Sequence, residues 1–281
     1  MHVTCDLEKT NERRLEIERY MTENVMDVEF RCSHFGDCKS SHPEQFYEGQ
    51  LHHIGRYYDL LMDEQPLRAV VVGQEYGYKP ARVGCEDRYE DILKSAHLSR
   101  FKAEGNFPQR NPHMRGTTNV LRLLFGIPLG TDHESEFINI DGELVHIFDA
   151  FALINYLLCS AVSNDGSSRG MATRTMKQNC KNHFREVMQV LAPSVVIVQG
   201  KGFSQNVLKA FDSFESETDH IYRAKLGTNE ILVAVFSHPS AHFPSNWGAN
   251  CTTPYLLNTV APSVESIRRD LQRRGQVLPF T

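Results

Sequence analysis

Polar residues that could do chemistry follow three apolar, strand-like runs of the sequence. Gln74 and Glu75 come directly after "AVVVG", Asn155 ends "FALIN", and His238 follows "LVAVFS". A carboxylate can orient a water molecule, an amide donates and accepts hydrogen bonds at once, and an imidazole can donate to a developing anion. The alternative for each is structural: a solvated turn carboxylate, an asparagine that caps a strand end, and a histidine in a plain turn.

The elements predicted around these residues would bring them together. Four apolar runs of strand character, at 67–73, 144–155, 194–200 and 230–240, alternate with amphipathic stretches of helical period. This alternation predicts an α/β fold, with a largely parallel sheet and helices on both faces. Because sites in such sheets gather at the carboxyl ends of the strands, we expect the polar residues to face one crevice.

Composition and charge narrow the classes of protein to consider. The 281 residues carry a net charge of −5 and are 41% hydrophobic, which is typical of a soluble globular protein and argues against strong nonspecific affinity for polyanions. The basic run "SIRRDLQRRGQ" near the C-terminus is interpreted as a solvated helix face. No signal peptide and no membrane-spanning run is present, so a cytoplasmic location and no membrane partner are expected.

Seven cysteines, an odd number, are scattered along the chain. Disulfides are rare in a reducing cytosol, so pairing is not expected. Two interpretations remain: independent buried thiols, or a subset that binds a metal or a cluster.

The order of these motifs resembles the uracil-DNA glycosylase superfamily. "GQEYG" is similar to a hybrid of Gly-Gln-Asp-Pro-Tyr, found in the uracil-excising enzymes, and Gly-Glu-Ala-Pro-Gly, found in the iron–sulfur class; "SHPSAH" matches the second motif, His-Pro-Ser or His-Pro-Ala. The resemblance covers roughly residues 28–260. It implies one domain over 1–281, a three-layer α/β/α sandwich around a mostly parallel four-stranded sheet. Residues 1–60 would be an N-terminal helical, cluster-binding segment, and 78–112 an insertion.

The cysteines place the resemblance closest to the iron–sulfur class. That class has a cysteine pair before the first motif, an Asn-x-x-x-Cys, and a fourth cysteine on a helix that leads into a strand. The matching positions here are Cys32, Cys38, Cys159 and Cys180. The resemblance implies a structural [4Fe–4S] cluster on these four thiolates, and it leaves Cys5, Cys85 and Cys251 as ordinary thiols.

The resemblance also implies roles for the polar residues at the strand exits. Glu75 and Gln74 would orient water and oppose the sugar cation, and His238 would stabilise the departing base. Asn155 would read the edge of the base, beside Gly73, Gly77 and a stacking His113. In the loop after His238, Phe243 is a candidate wedge that fills the gap left by the flipped base, and a core-facing side chain is the alternative. Lys201 is the only lysine at a strand exit with these motifs, so chemistry through a Schiff base is not indicated and a monofunctional hydrolase is expected.

Several interpretations of the function stay open. Uracil is the default base, with a role in base-excision repair. Gly77 replaces the tyrosine that crowds the pyrimidine C5 edge in the uracil-excising enzymes, so a bulky C5-modified pyrimidine is the alternative, such as the glucosylated cytosines of phage DNA, with a role in antiviral defence. A non-catalytic iron–sulfur DNA-binding protein and a glycosidase acting on RNA or nucleotides are further alternatives. The expected partner is DNA, bound by a monomer.

Overall fold

Several helices begin where the sequence supplies a capping side chain. Asp6, Asn111 and Thr173 each accept a hydrogen bond from the backbone N–H three residues later. The computed structural model describes residues 2–42, 45–76, 81–98, 101, 109–163 and 170–274. Within these ranges the α-helices are α1 (Leu7–Asn24), α2 (Phe35–Ser40), α3 (Cys85–Leu98), α4 (Pro112–Leu124), α5 (Arg174–Leu191), α6 (Lys201–Leu208) and α7 (Ala261–Arg274).

The strands form one large sheet and smaller pairings around it. The strands described are β1 (Val3–Cys5), β2 (Gln45–Glu48), β3 (His53–Ile54), β4 (Leu60–Met62), β5 (Gln65–Leu67), β6 (Ala69–Gly73), β7 (Phe137–Ile140), β8 (Glu143–His146), β9 (Ala152–Asn155), β10 (Cys159–Val162), β11 (Val195–Gln199), β12 (Ser213–Ser216), β13 (Ile221–Leu226) and β14 (Asn229–Phe236). The large sheet has the order β12-β13-β14-β11-β6-β9-β3. Its four middle strands, β14, β11, β6 and β9, are parallel to their neighbours in that group.

Alternate residues of the middle strands enter two hydrophobic cores on opposite faces of the sheet. Val71 and Ile197 pack with α4 and α7, whereas Val70 and Val198 pack with α1, α5 and α6. Strands buried on both faces are the kind that read as continuous apolar runs in a sequence. The predicted mixed α/β fold with a mostly parallel central sheet is therefore confirmed.

The sheet is wider than the four strands predicted, since it has seven. The additional strands, β12, β13 and β3, pair antiparallel at the two edges. β3 has two residues and β12 is exposed throughout, so neither leaves an apolar pattern in the sequence. The predicted strand over 144–155 is also divided: a 3₁₀ turn over Ile147–Asp149 separates β8 from β9, capped where His146 Nδ1 accepts the N–H of Phe148 at 3.0 Å.

The N-terminal segment attaches to both the sheet and the helices. α1 and α2 pack against α5, β2 pairs antiparallel with β10, and β3 extends the sheet beyond β9. None of the helices in the described ranges has the combination of length and apolar character that crossing a bilayer requires.

Candidate functional site

A cavity of about 920 Å³ opens at the carboxyl ends of the parallel strands. Gln74 and Glu75 line it directly after β6, Asn155 at the end of β9, and His238 after β14. His113 lines the same cavity from the first turn of α4. Five residues singled out in the sequence, separated by up to 164 positions between Gln74 and His238, thus face one space.

The Glu75 carboxylate is held at both oxygens. Gln74 Nε2 donates to Oε1 at 2.9 Å, and the backbone N–H of Ala161 donates to Oε2 at 3.2 Å. Burial raises the pKa of Glu75, while these two hydrogen bonds and the nearby positive charges of Lys177 and His42 lower it. Glu75 is therefore not a solvated turn carboxylate, and a carboxylate with a raised pKa is a better acceptor for a proton from water.

Asn155 presents a buried amide to the cavity. Its side chain is 4% exposed, and among the described residues none hydrogen-bonds to the amide. The neighbouring strand position is Gly73, where a Cβ atom would lie 3.4 Å from Asn155 Oδ1 and 3.0 Å from His113 Nε2. A buried amide without a protein partner is costly unless a ligand satisfies it. Gly73 leaves the amide room to reach one.

Two imidazoles face each other across the cavity. The ring centroids of His113 and His238 lie 6.0 Å apart. The backbone N–H of Ser240 donates to His238 Nδ1 at 3.2 Å, so a neutral His238 carries its proton on Nε2. Burial of one side of His238, a residue otherwise exposed, lowers the pKa of its ring. Burial first, and then the positive charge of Arg88 and the one that His238 would carry if protonated, lower the pKa of His113 to about 3. Both rings are therefore neutral at pH 7, and His238 Nε2–H is a hydrogen-bond donor.

The two histidines come together because glycines let helix α4 touch the loop after β14. A Cβ on Gly116 of α4 would lie 2.9 Å from Pro239 Cγ, and one on Gly248 would lie 2.7 Å from Pro239 Cβ. Trp247, fully buried in this loop, donates from Nε1 to the carbonyl of Ser237 at 2.7 Å. This packing fixes the position of His238. No single motif in the sequence predicts it.

Phe243 lies in the same loop with 75% of its surface exposed. The core-facing alternative is therefore wrong: the residue is a large apolar side chain in contact with solvent. Gly77, the other glycine of the first motif, lies outside the described residues.

Helix α3, within the segment 78–112, forms a wall of the cavity that was not predicted from the sequence. Arg88, Asp91 and Ser95 of α3 line the space, and the Arg88 guanidinium carbon stacks 4.0 Å from the ring centre of Tyr76. The Tyr76 hydroxyl donates to Asp91 Oδ2 at 3.3 Å. The helical period of "EDRYEDILKSAHL" was visible in the sequence, but its placement over the strand ends depends on distant contacts. Residues 77–80, 99–100 and 102–108 lie outside the described part.

The four cysteines selected from the sequence share one region between the N-terminal segment, β10 and α5. Burial raises the pKa of each thiol; for Cys159 the charges of the other three add to this effect, and for Cys180 those of Cys38 and Cys32 do. In contrast, no other cysteine contributes to the raised pKa of Cys5 or of Cys85. No disulfide joins any of the seven cysteines, all of which the structure describes.

An N–H group acts on each of these four sulfurs. Backbone N–H groups of His34, Gly49 and Leu158 lower the pKa of Cys32, Cys159 and Cys180 respectively, against the effect of burial. Asn179 Nδ2 donates to Cys38 Sγ at 3.4 Å, and His183 Nε2 lies 3.6 Å from Cys32 Sγ. N–H donors stabilise sulfur in its thiolate form, which is the form that binds metals.

A second group of potential metal ligands is His133, Glu136 and His146, whose ligand atoms lie within 4.8 Å of one another; in the described ranges it is the only such close group. Arg110 donates to both Glu136 oxygens at 3.0 and 2.7 Å, and His146 Nε2 lies 3.1 Å from one of them. Because Arg110 already binds both oxygens of Glu136, we interpret the group as part of a buried Arg110–Glu136 ion pair and not as a metal site. Arg110 also donates to the Ala96 carbonyl at 3.1 Å, which holds the C-terminal end of α3 beside the cavity.

Comparisons with known proteins identified no relative of this chain. The sequence matches no family model, and no curated protein matches it. The functional conclusion is therefore drawn from the cavity, the thiols and the motifs.

Proposed function

We propose that the protein is a monofunctional DNA glycosylase that hydrolyses the N-glycosidic bond of a flipped-out pyrimidine and leaves an abasic site. The observation that carries the proposal is the meeting of Glu75, Asn155 and His238, from three separate strand ends, around one cavity. A base inside a duplex is out of reach of such a pocket, so the nucleotide must leave the stack to enter it. Uracil is the default base.

Each of the three residues suits one requirement of this reaction. Breaking the bond creates positive charge on the sugar and negative charge on the base. Glu75, held by Gln74 and Ala161, orients the attacking water and opposes the sugar cation. Asn155 offers a donor and an acceptor to the edge of the pyrimidine, and His238 Nε2–H donates to a carbonyl of the departing base.

The surroundings of the cavity suit a DNA partner. Phe243, exposed on the loop that carries His238, is proposed to fill the space that the flipped nucleotide leaves in the stack. His113 borders the base site and is proposed to pack against the base. The parallel strands with helices on both faces are consistent with the three-layer sandwich of the uracil-DNA glycosylase superfamily, which we propose as the family.

We further propose that Cys32, Cys38, Cys159 and Cys180 hold a [4Fe–4S] cluster. The fit rests on four thiols between the N-terminal segment, β10 and α5, three of them buried, with Asn179 Nδ2 3.4 Å from Cys38 Sγ and His183 Nε2 3.6 Å from Cys32 Sγ. A cluster sits between its ligands, so the sulfurs need not touch one another. When bound, it would cross-link the N-terminal segment to β10 and α5 and supply no step of the hydrolysis. Cysteines that form no disulfide also suit the reducing cytoplasm, which we propose as the location.

A bulky C5-modified pyrimidine is the second candidate substrate, and helix α3 favours it. The cavity volume of about 920 Å³ lies near the upper end of the range for pockets that bury drug-sized ligands, about 300–1,000 Å³. An unmodified pyrimidine is smaller than such ligands, so the cavity has room for a substituent. Arg88, Asp91 and Ser95 add charged and hydroxyl groups on that wall, which suit a substituent rich in hydroxyl groups. An enzyme of this specificity would act on modified phage DNA.

The test measures abasic-site formation on duplex oligonucleotides that carry U, T, hydroxymethylcytosine or glucosylated cytosine opposite G. Cleavage confined to U would eliminate the bulky-base candidate, and cleavage of glucosylated cytosine would favour it. Glu75→Ala should abolish cleavage yet keep DNA affinity. DNA binding without cleavage of any of these bases would instead support a non-catalytic DNA-binding protein.

A further inference from the structure

The Glu75 carboxylate lies against the backbone of strand β10 and of the segment that precedes α5. Strand β10 supplies the Ala161 N–H that donates to Glu75 Oε2, and the Ala161 carbonyl accepts the N–H of Met171 at 2.7 Å. Val162 forms a bridge with Gly170, which brings the segment before α5 alongside β10. Glu75 thus lies against two adjacent backbone segments as well as against Gln74.

Gly170 lies against the Glu75 carboxylate, with no room for a β-carbon while the carboxylate keeps its position. A Cβ atom at this position would lie 2.3 Å from Glu75 Oε1 and 3.2 Å from its carboxyl carbon. The φ angle of Gly170 is outside the left-handed region that glycine favours, so the backbone itself does not require glycine here. A side chain at this position would have to displace the far end of Glu75.

We infer that Gly170 is a positioning residue and that, with the Ala161 N–H, it forms a clamp that sets where the Glu75 carboxylate points. The catalytic meaning of the clamp rests on the proposed function. Oε1 is confined between Gly170 and the Gln74 amide, and Oε2 is held by Ala161. The carboxylate therefore has one orientation in which both oxygens are satisfied, with no rotamer search needed when substrate arrives.

Gly170→Ala tests the clamp. The added methyl must displace the carboxylate from its donors, so the single-turnover rate should fall about 10- to 100-fold, as expected for an error of about 1 Å in a catalytic group. Binding of an uncleavable duplex, with a 2′-fluoro nucleotide at the target, should stay unchanged, because Gly170 carries no group that reads DNA. Ser213→Ala, on the exposed edge strand β12 and away from the cavity lining, should keep the wild-type rate.

The pKa of Glu75 provides a readout that needs no glycosylase activity. Hydrogen bonds from Gln74 and Ala161 lower this pKa. Their loss in Gly170→Ala should raise it, as followed by the ¹³C resonance of the labelled carboxyl. Gly202→Ala, which adds a methyl to another part of the cavity wall with no atom within 4 Å, should leave the pKa of Glu75 as it is.

A double variant separates positioning from damage to the fold. Glu75→Asp shortens the side chain by one methylene and makes room for the methyl of Gly170→Ala, so the second change should cost much less in the Asp background than alone. Equal losses in both backgrounds, or a Glu75 pKa that Gly170→Ala leaves unchanged, would overturn the clamp. If the wild type cleaves no oligonucleotide, the proposed function fails, whereas the pKa comparison still decides the clamp.

Discussion

Gly73 and Asn155 lie side by side at the ends of two parallel strands, and a Cβ on Gly73 would come 3.4 Å from Asn155 Oδ1. The glycine therefore has a use beyond the turn that follows it. It leaves open the space over the Asn155 amide, which has no hydrogen-bond partner in the described part of the chain. Because the strands are parallel, the first motif and the base-reading candidate meet at one edge of the sheet although 82 positions separate them.

Replacement of Asn155 should weaken base recognition more than it weakens the fold. Asn155→Ala removes a donor and an acceptor that no described residue uses, so no hydrogen bond among the described residues is lost. We expect kcat/KM on the preferred base to fall about 10- to 100-fold, as for the loss of about 1–3 kcal/mol of hydrogen bonding. Asn139→Ala, at an exposed position of strand β7 away from the cavity, is the control. An unchanged kcat/KM would remove Asn155 from the site.

The outcome at the strand ends shows what sequence patterns can locate. Glu75, Asn155 and His238 each follow a buried strand, and the rule that parallel strands end at one edge was enough to bring them together. Gly170 and Arg88 left no comparable signal. Gly170 matters because of a contact with Glu75, 95 positions away, and Arg88 because α3 lies over the strand ends. Such contacts depend on packing between distant segments, which periodicity does not encode.

Buried histidines should make the fold sensitive to acid, and His52 is a clear case. Its side chain is 1% exposed, neither ring nitrogen has a partner among the described residues, and burial, with the charges of Arg88 and His183, lowers its pKa from 6.5 to about 3. The unfolded chain binds a proton at His52 below pH 6.5 and the folded chain does not. Protonation of His52 in the unfolded chain therefore lowers the free energy of unfolding. This loss of stability is nearly absent at pH 7 and grows as the pH falls toward 3.

His52→Leu should reduce this loss. Between pH 7 and pH 5 the free energy of unfolding should fall by about 2 kcal/mol less in the variant than in the wild type, since pH 5 is about 1.5 units below the ordinary pKa. Urea unfolding at the two pH values measures it. His242→Leu, at an exposed position, should behave like the wild type. Identical pH dependence in His52→Leu and the wild type would mean that His52 is protonated in the folded chain.

If the four cysteines hold a cluster, the purified protein should be coloured and contain iron. Protein purified without oxygen should be brown, absorb near roughly 400 nm and contain iron, because thiolate-bound clusters do. Serine at any of the four positions Cys32, Cys38, Cys159 and Cys180 should lower both signals and the thermal stability. Cys251→Ser, whose sulfur donates to the Gly130 carbonyl at 3.2 Å on another side of the molecule, should keep both. A colourless, iron-free wild type would contradict the cluster.

The exposed ring of Phe243 predicts a dependence on the duplex. Phe243→Ala removes a large apolar side chain that is 75% exposed, so the free energy of unfolding should change little. If the ring replaces the flipped base in the stack, single-turnover cleavage of a duplex should slow about 10- to 100-fold, because opening the stack costs a few kcal/mol. Cleavage of the same sequence as a single strand should change much less, since no stacked partner has to be replaced. Phe214→Ala, which removes a ring from the edge strand β12, supplies the control. Equal slowing on single and double strands would show that Phe243 acts on the cavity itself and not on the opening of the duplex.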